Sequence, residues 1–419
     1  MTTTETSRPA MSAEESKDLR PEQILQAAQE LVPRLRERAV EAEALRRLPD
    51  ATIADAERAR IFSLLIPREL GGAGGDVRDF ANLLRILAQG DLSSAWTLGF
   101  LTVHAWLMVR FPAEARAELF ADGTPPLVTM SARPPGKAVP VEGGYELSGR
   151  WGYCSAVMHA DWVAVVGLVD GVDDHTANAV QGLDDKASMF LVPKSDVEVL
   201  DTWYMAGMQG TGSHDVQVNG AFVPSHRSIA IDAWHIRDNL AAAAYPGVLY
   251  SYDTRDVLSF LKPAMAIGAA QGLLSDFRER IERRNAAFTK TPMADTAPGQ
   301  MRYARALAAL RMAESSLETA LSLIEQANES STDELSHEVR VLLKLDNLNT
   351  YRMAWECIEL ILAGSGSSVF KSDDPTQRAV RDMQMLLSHL TIDEDRMFSK
   401  SGEILLGRAT DADPTQNFT

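Results

Sequence analysis

The run Trp203-Tyr204-Met205-Ala206-Gly207-Met208-Gln209-Gly210-Thr211-Gly212-Ser213 sets aromatic rings and thioethers among small turn-forming residues and hydroxyls. Bare backbone amides and hydroxyls beside a flat apolar wall suit a ligand with a large aromatic plane and an anionic tail. The same composition also describes a glycine-rich turn with ordinary core aromatics. Val216–Pro224 follows, alternating apolar and polar residues up to a proline, as a half-buried strand does.

The elements that must hold this run are helical on both sides of a β block. Residues 21–48 read as a helix, with Pro21 at its start and Ile24, Leu25, Ala28, Leu31 and Leu35 at helical spacing. A second helix is expected over 52–64, a loop at 71–75 and a helix over 77–89. The stretch 93–111 is apolar on nearly all sides and predicts a buried helix. From Thr124 to about residue 231, glycine, valine and short alternating runs take over. Gly143-Gly144 marks a hairpin between 138–141 and 145–148, strands are expected at 162–169 and 188–193, and 171–186 reads as a surface loop. Long helical periodicity returns over 255–285, 298–328, 333–363 and 374–407, which predicts a four-helix bundle. The domains expected are a disordered tail (1–20), an N-terminal helical domain (21–123), a β domain (124–235) and a C-terminal bundle (236–410).

The 419 residues are 45% hydrophobic and 24% charged, ordinary for a globular protein. A formal charge of −17 argues against nucleic acid and anionic membranes as partners. No stretch reads as a membrane span, residues 1–20 lack the apolar core of a secretory signal, and two cysteines cannot build a disulfide framework. A cytoplasmic protein is expected. No metal-ligand spacing, Gly-x-Gly-x-x-Gly turn or Gly-x-Ser-x-Gly elbow is present.

The order helical, β, four-helix bundle resembles the α+β acyl-CoA dehydrogenase architecture. Four stretches carry a narrower likeness: Ala95-Trp96 through His104, Gly149–Trp162, the run around Trp203, and Gln377-Arg378 through Arg381-Asp382 to His389. Over about residues 22–410 the chain resembles the oxygenase components of two-component flavin monooxygenases, 4-hydroxyphenylacetate 3-hydroxylase among them. That resemblance implies reduced FMN (FMNH2), with FAD as the alternative, and O2 as co-substrate, reacting through a C4a-hydroperoxide. It implies an NAD(P)H-dependent flavin reductase as partner, a small aromatic, phenolic or polyketide-like substrate, and a homotetramer.

Residue by residue, the resemblance places the Ser155 hydroxyl near flavin N5 and Arg255 against the flavin ring. His389 falls beside the substrate and the flavin, and His104 at the substrate hydroxyl. An imidazole titrating near neutrality can orient or deprotonate a phenol. Trp203, Thr211 and Ser213 would line the flavin, and Arg284 would reach its phosphate. Gln377 and Arg381 would approach the flavin of another subunit, or Arg381-Asp382 would form a structural ion pair. Met130, followed by Ser131, stands where the hydroxyphenylacetate enzyme has a serine, which implies a larger or more apolar pocket. Cys154 reads as a packed small residue. Two competing readings are an FAD-dependent acyl-CoA dehydrogenase and an N- or S-oxygenase of the same fold. The dehydrogenase would need a carboxylate base, and the nearest, Asp393 and Glu394, lie a turn beyond His389. A helical interaction protein without flavin is a third.

Overall fold

The computed structural model describes residues 19–169, 187–231, 239–245, 247–330, 335–389 and 392–409. The expected surface loop at 171–186 and all but two residues of the expected tail lie outside them.

Five helices come first: α1 (Pro21–Leu45), α2 (Asp50–Arg58), α3 (Val77–Ala88), α4 (Leu92–Met108) and α5 (Ala113–Leu119). Pro21 opens α1 where its missing N–H costs nothing, and the Gln23 side chain accepts from the Arg20 amide at 2.9 Å. Left-handed Arg46 ends it three residues earlier than its periodicity suggests. Arg60, also left-handed, cuts the expected 52–64 helix into α2 and a short 3-10 turn. Asp91 caps α4 by accepting from the Ser94 amide at 2.8 Å, and every α4 residue except Phe100 is buried.

Among the described residues the β block is one seven-stranded sheet: β1 (Val128–Val141), β2 (Gly144–Cys154), β3 (Trp162–Val169), β4 (Ala187–Pro193), β5 (Glu198–Leu200), β6 (His214–Pro224) and β7 (Ser228–Ala230). Their order is β5-β6-β2-β1-β3-β4-β7, antiparallel except for β1 beside β3. The hairpin turns at Gly143 with Ala138 opposite Leu147, as its glycines indicate. One sheet face, with Val128, Ala164 and Leu191, joins the main core of helices. The other gathers Trp151, Val163, Val165, Phe190, Val216 and Val218 into a second core shared by the two halves of the sheet. The sheet thus folds over itself, its two halves enclosing the second core.

Short helices α6 (Leu240–Ala244), α7 (Val248–Ser251) and α8 (Thr254–Leu258) lead to the bundle of α9 (Leu261–Arg283), α10 (Ala297–Ser330) and α11 (His337–Ser365). The expected fourth helix is two, α12 (Pro375–Leu387) and α13 (Glu394–Leu405). Ser388 closes α12, and Asp393 opens α13 by accepting from the Arg396 amide at 3.1 Å. His389 therefore sits in the break rather than mid-helix. One sequence expectation needs correcting: Thr254–Arg283 is long and apolar enough by composition to cross a membrane. Its apolar window is 78% buried inside the protein, the pattern of a core helix.

Candidate active site

His104, Phe100 and Trp96 recur every four residues on α4, so they share one helix face. Trp96 stacks on Phe100 with ring centroids 4.4 Å apart, and Phe100 meets His104 edge-on at 5.0 Å. His389 extends the row, its ring 5.8 Å from that of Trp96. The break between α12 and α13 thus brings the two sequence-predicted histidines to opposite ends of one aromatic row.

Both imidazoles are neutral. His104 Nδ1 lies 3.0 Å from the Val128 carbonyl oxygen, which can only accept. The proton therefore sits on Nδ1, and Nε2 keeps its lone pair. Burial lowers the His104 pKa to about 4. Burial, aided by the charge of Lys262, lowers that of His389 to about 3. The expectation of imidazoles titrating near neutrality is corrected accordingly: in this apolar setting they serve as lone-pair acceptors and as weak bases.

β2 delivers Ser155 just beyond its last residue. Trp96 Nε1 donates to Ser155 Oγ at 2.9 Å, and Ser155 Oγ lies 2.7 Å from Ser213 Oγ. Ser213 Oγ is 2.7 Å from Thr211 Oγ1, which donates to the Met208 carbonyl at 2.9 Å. The Ala156 amide also donates to the Thr211 carbonyl at 2.9 Å. Ser155, Thr211 and Ser213, singled out far apart in sequence, thus form one buried cluster with Trp96. Tyr153, Ala156 and Met208 all hold positive φ (59°, 65° and 52°). Strained residues of this kind persist where their surroundings over-determine them, which is characteristic of functional sites.

The run 203–213 is clamped from several elements. His214 Nδ1 accepts from the Thr202 and Trp203 amides at 3.2 and 3.3 Å, and Trp203 Nε1 donates to the Met208 carbonyl at 3.1 Å. The Met208 amide donates to Asp382 at 2.5 Å. Arg381 donates to the Ala206 carbonyl at 2.6 Å, to Glu43 of α1 at 2.7 Å and to Gln377 at 2.8 Å. Arg378 binds the other Glu43 oxygen at 2.9 Å. Gln377 and Arg381 are therefore engaged locally, and Arg381 pairs with Glu43 instead of forming the ion pair with Asp382 read from the sequence. Burial, with the nearby Asp91 carboxylate, raises the Asp382 pKa to about 7.

Arg255 lies in α8, its fork held by Asp253 at 2.6 and 2.9 Å. Asp253 also caps α8, so the awkward placement of a cation at a helix start is compensated locally. Arg340 draws Asp253 and Asp256 into the same charge cluster, at 3.5 and 3.4 Å. Arg284 ends α9, donating to the Ser365 carbonyl at 3.1 Å and to Ser368 Oγ at 3.0 Å. Met130 packs half-buried on the main core, while Ser131 donates to the Gly152 carbonyl at 2.7 Å and braces β1 on β2. Cys154 is buried, its thiol pushed up to about 12, as suits a packing residue.

Sequence reasoning did not assign Trp96 or Phe100, although their four-residue spacing with His104 was a usable signal. Glu43 and Lys262 gave none, because their roles depend on distant elements. A planar ring system suits the apolar side chains beside this hydroxyl cluster. Tyr153, Met158, Tyr204 and Met205 are exposed apolar side chains flanking Ser155 and Trp203, and the Tyr153 and Trp203 rings meet edge-on at 5.9 Å.

Comparisons with known proteins show what the chain is similar to. Residues 261–394 match a family model described as acyl-CoA dehydrogenase, C-terminal domain. A pigment production hydroxylase of a Rhodococcus species is 30% identical over 395 residues, 93% of this chain and 97% of that protein. The flavin-dependent monooxygenase oxygenase subunit HsaA of Mycobacterium tuberculosis is 29% identical over 378 residues, covering 90% and 93% of the two chains. A crystal structure of HsaA from that organism superposes with a TM-score of 0.83 at 27% identity, over 94% of this chain and all of that one. The oxygenase component of a Rhizobium FADH2-dependent resorcinol hydroxylase is 26% identical, covering 89% and 91%.

Proposed function

The chain belongs to the oxygenase components of the flavin-dependent monooxygenases built on the acyl-CoA dehydrogenase fold, and we propose that it hydroxylates an aromatic substrate using reduced flavin and O2. The balance is substrate C–H plus O2 plus reduced flavin giving substrate C–OH, water and oxidised flavin. Reduced flavin, when bound, supplies the two electrons of this reaction.

One observation carries the reading. Two uncharged imidazoles flank the aromatic row, and its central indole holds the Ser155 hydroxyl. His104 Nε2 accepts the proton of a substrate hydroxyl, which orients the ring and raises electron density at its carbons. His389 supports the substrate from the other end. Trp203, Thr211, Ser213 and Ser155 would hold the flavin ring. Arg255 and Arg284 would face its anionic parts, Arg284 the phosphate, and Gln377 and Arg381 a neighbouring subunit's flavin. The apolar rings of the row limit water at the site, which favours oxygen transfer over release of hydrogen peroxide.

An NAD(P)H-dependent reductase as separate partner fits the oxygenase-component names of the relatives. FMNH2 is the flavin we assign. The Rhizobium relative's name makes FADH2 its competitor, and parallel titrations with both decide. A homotetramer is part of the proposal, checked by light scattering. Of the two carboxylates nearest His389 that the dehydrogenase alternative would draw on, Asp393 is engaged as the cap of α13 and Glu394 lies in that helix's first turn.

The test couples the protein to a generic flavin reductase, NADH and ¹⁸O2, with a panel of phenols, polycyclic quinones, indoles, amines and thioethers. Product carrying one labelled oxygen, with peroxide suppressed, is expected. Peroxide alone across the panel, at the rate free flavin gives, overturns the reading.

A further inference from the structure

Trp96, Ser155, Ser213, Thr211 and the Met208 carbonyl form a series whose contacts measure 2.9, 2.7, 2.7 and 2.9 Å. Its ends fix the direction of every proton in it. An indole N–H only donates, and a carbonyl oxygen only accepts. Thr211 has one hydroxyl proton and directs it to Met208, so toward Ser213 it accepts. Ser213 must then donate to Thr211, so toward Ser155 it accepts. Ser155 donates to Ser213 and accepts from Trp96. Full reversal would set the Thr211 hydroxyl oxygen and the Met208 carbonyl oxygen lone pair to lone pair across 2.9 Å, and any mixed arrangement would do the same to two hydroxyl oxygens across 2.7 Å, each at the cost of an unmade hydrogen bond between buried groups. Ser155 therefore keeps one free lone pair and no free proton.

We infer that Ser213 and Thr211 act as positioning residues that make Ser155 an acceptor only, so that a ligand group meeting its oxygen must bring its own proton. This rests on the proposed function. Reduced flavin carries a proton on N5 and oxidised flavin a bare lone pair there, so the series selects the reduced form. The discrimination resides in the Thr211 and Ser213 hydroxyls, through the Ser155 proton that they direct.

The experiment is anaerobic equilibrium binding of reduced and oxidised FMN to the full-length protein and three variants. Thr211→Val keeps the shape but removes the terminal donor and acceptor. Ser213 then turns its proton to Ser155, and Ser155 can donate outward. Ser213→Ala frees the Ser155 proton directly. In both variants the ratio of reduced to oxidised affinity falls at least fivefold, with oxidised FMN binding more tightly than to wild type, as one hydrogen bond gained predicts. Trp96→Phe also cuts the series, but leaves its direction set from the Met208 end. That variant weakens both redox forms together and holds the ratio within about threefold, on the scale of less than one net hydrogen bond.

A wild-type preference for reduced FMN that survives unchanged in Thr211→Val and Ser213→Ala overturns the inference while leaving the proposed function standing. So does an equal drop in the ratio for Trp96→Phe, which would mark a merely structural cluster. Wild type that binds neither redox form of FMN or FAD overturns the proposed function itself. Should Thr211→Val fail to fold by circular dichroism, the smaller Ser213→Ala change decides alone.

Discussion

Substituting alanine for Gly207 tests how the run 203–213 is seated. An ideal Cβ there would stand 2.3 Å from the Arg381 carbonyl oxygen, 2.7 Å from its carbon and 3.2 Å from the Asp382 amide nitrogen. All three are backbone atoms inside α12, so no side chain can swing away. Reaching ordinary contact requires the run to retreat by about 1 Å. That retreat stretches the 2.5 Å Met208–Asp382 hydrogen bond beyond a useful length. Overpacking costs about 1–3 kcal/mol, and a buried carboxylate that loses its donor about 1–3 more. Against this, alanine stiffens the unfolded chain by at most about 1 kcal/mol. At about 2.1 cal/mol/K of unfolding entropy per residue, a net loss of about 3 kcal/mol should lower Tm by roughly 3 °C. Thr211 and Ser213 shift with the run, so reduced-flavin affinity should fall about tenfold, equivalent to about 1.4 kcal/mol. The assay is a thermal melt beside an anaerobic flavin titration, with Gly402→Ala as control. Gly402 lies in α13 with nothing within 4 Å of its would-be Cβ, so alanine there should be neutral or mildly stabilising. Gly207→Ala with wild-type Tm and wild-type flavin affinity would refute the seating of the run against α12.

Other expectations follow from the electrostatics. With folded pKa values of about 4 for His104 and about 3 for His389, kcat/KM should show no imidazole inflection between pH 5 and 8; an inflection in that window abolished by His104→Gln or His389→Gln would contradict the buried, neutral rings. The folded pKa of Asp382 is raised to about 7 from 3.8, so its stabilising contribution is complete below pH 4 and is lost as pH rises through 7. Asp382→Asn should therefore gain Tm relative to wild type on going from pH 5 to pH 8, and a constant difference across that range argues against a buried, protonated carboxyl. Burial pushes Cys154 and Cys357 up to about 12, so iodoacetamide at pH 8 should label neither until the protein is unfolded; mass spectrometry of the native protein settles it.

Features governed by local chemistry were legible in the sequence. The all-round apolar composition of α4 announces burial, the alternation of 216–224 announces β6, and Gly143-Gly144 announces the hairpin. The family resemblance placed Ser155, His104 and His389, and the structure sets Ser155 and His389 against Trp96 and joins His104 to that ring through Phe100. The break at His389 was missed because apolar periodicity runs on across it, and only Ser388 and Asp393 mark it. Partners such as Glu43 for Arg378 and Arg381 were out of reach, since nothing local to residue 43 marks a bond to residues more than 330 positions away. The imidazole pKa values were misjudged for a related reason: desolvation depends on what the fold stacks around a ring, which its neighbours in sequence do not state.

Glu43 has a consequence for how the protein is made. Its carboxylate is shared between Arg378 and Arg381, so α1 gains these partners only once the much later α12 has been made. The sheet can close and deliver Ser155 long before α12 exists, but Gly207 and Met208 have nothing to rest against until it arrives. During synthesis, then, Gly207 and Met208 take their seats only after α12 has been made.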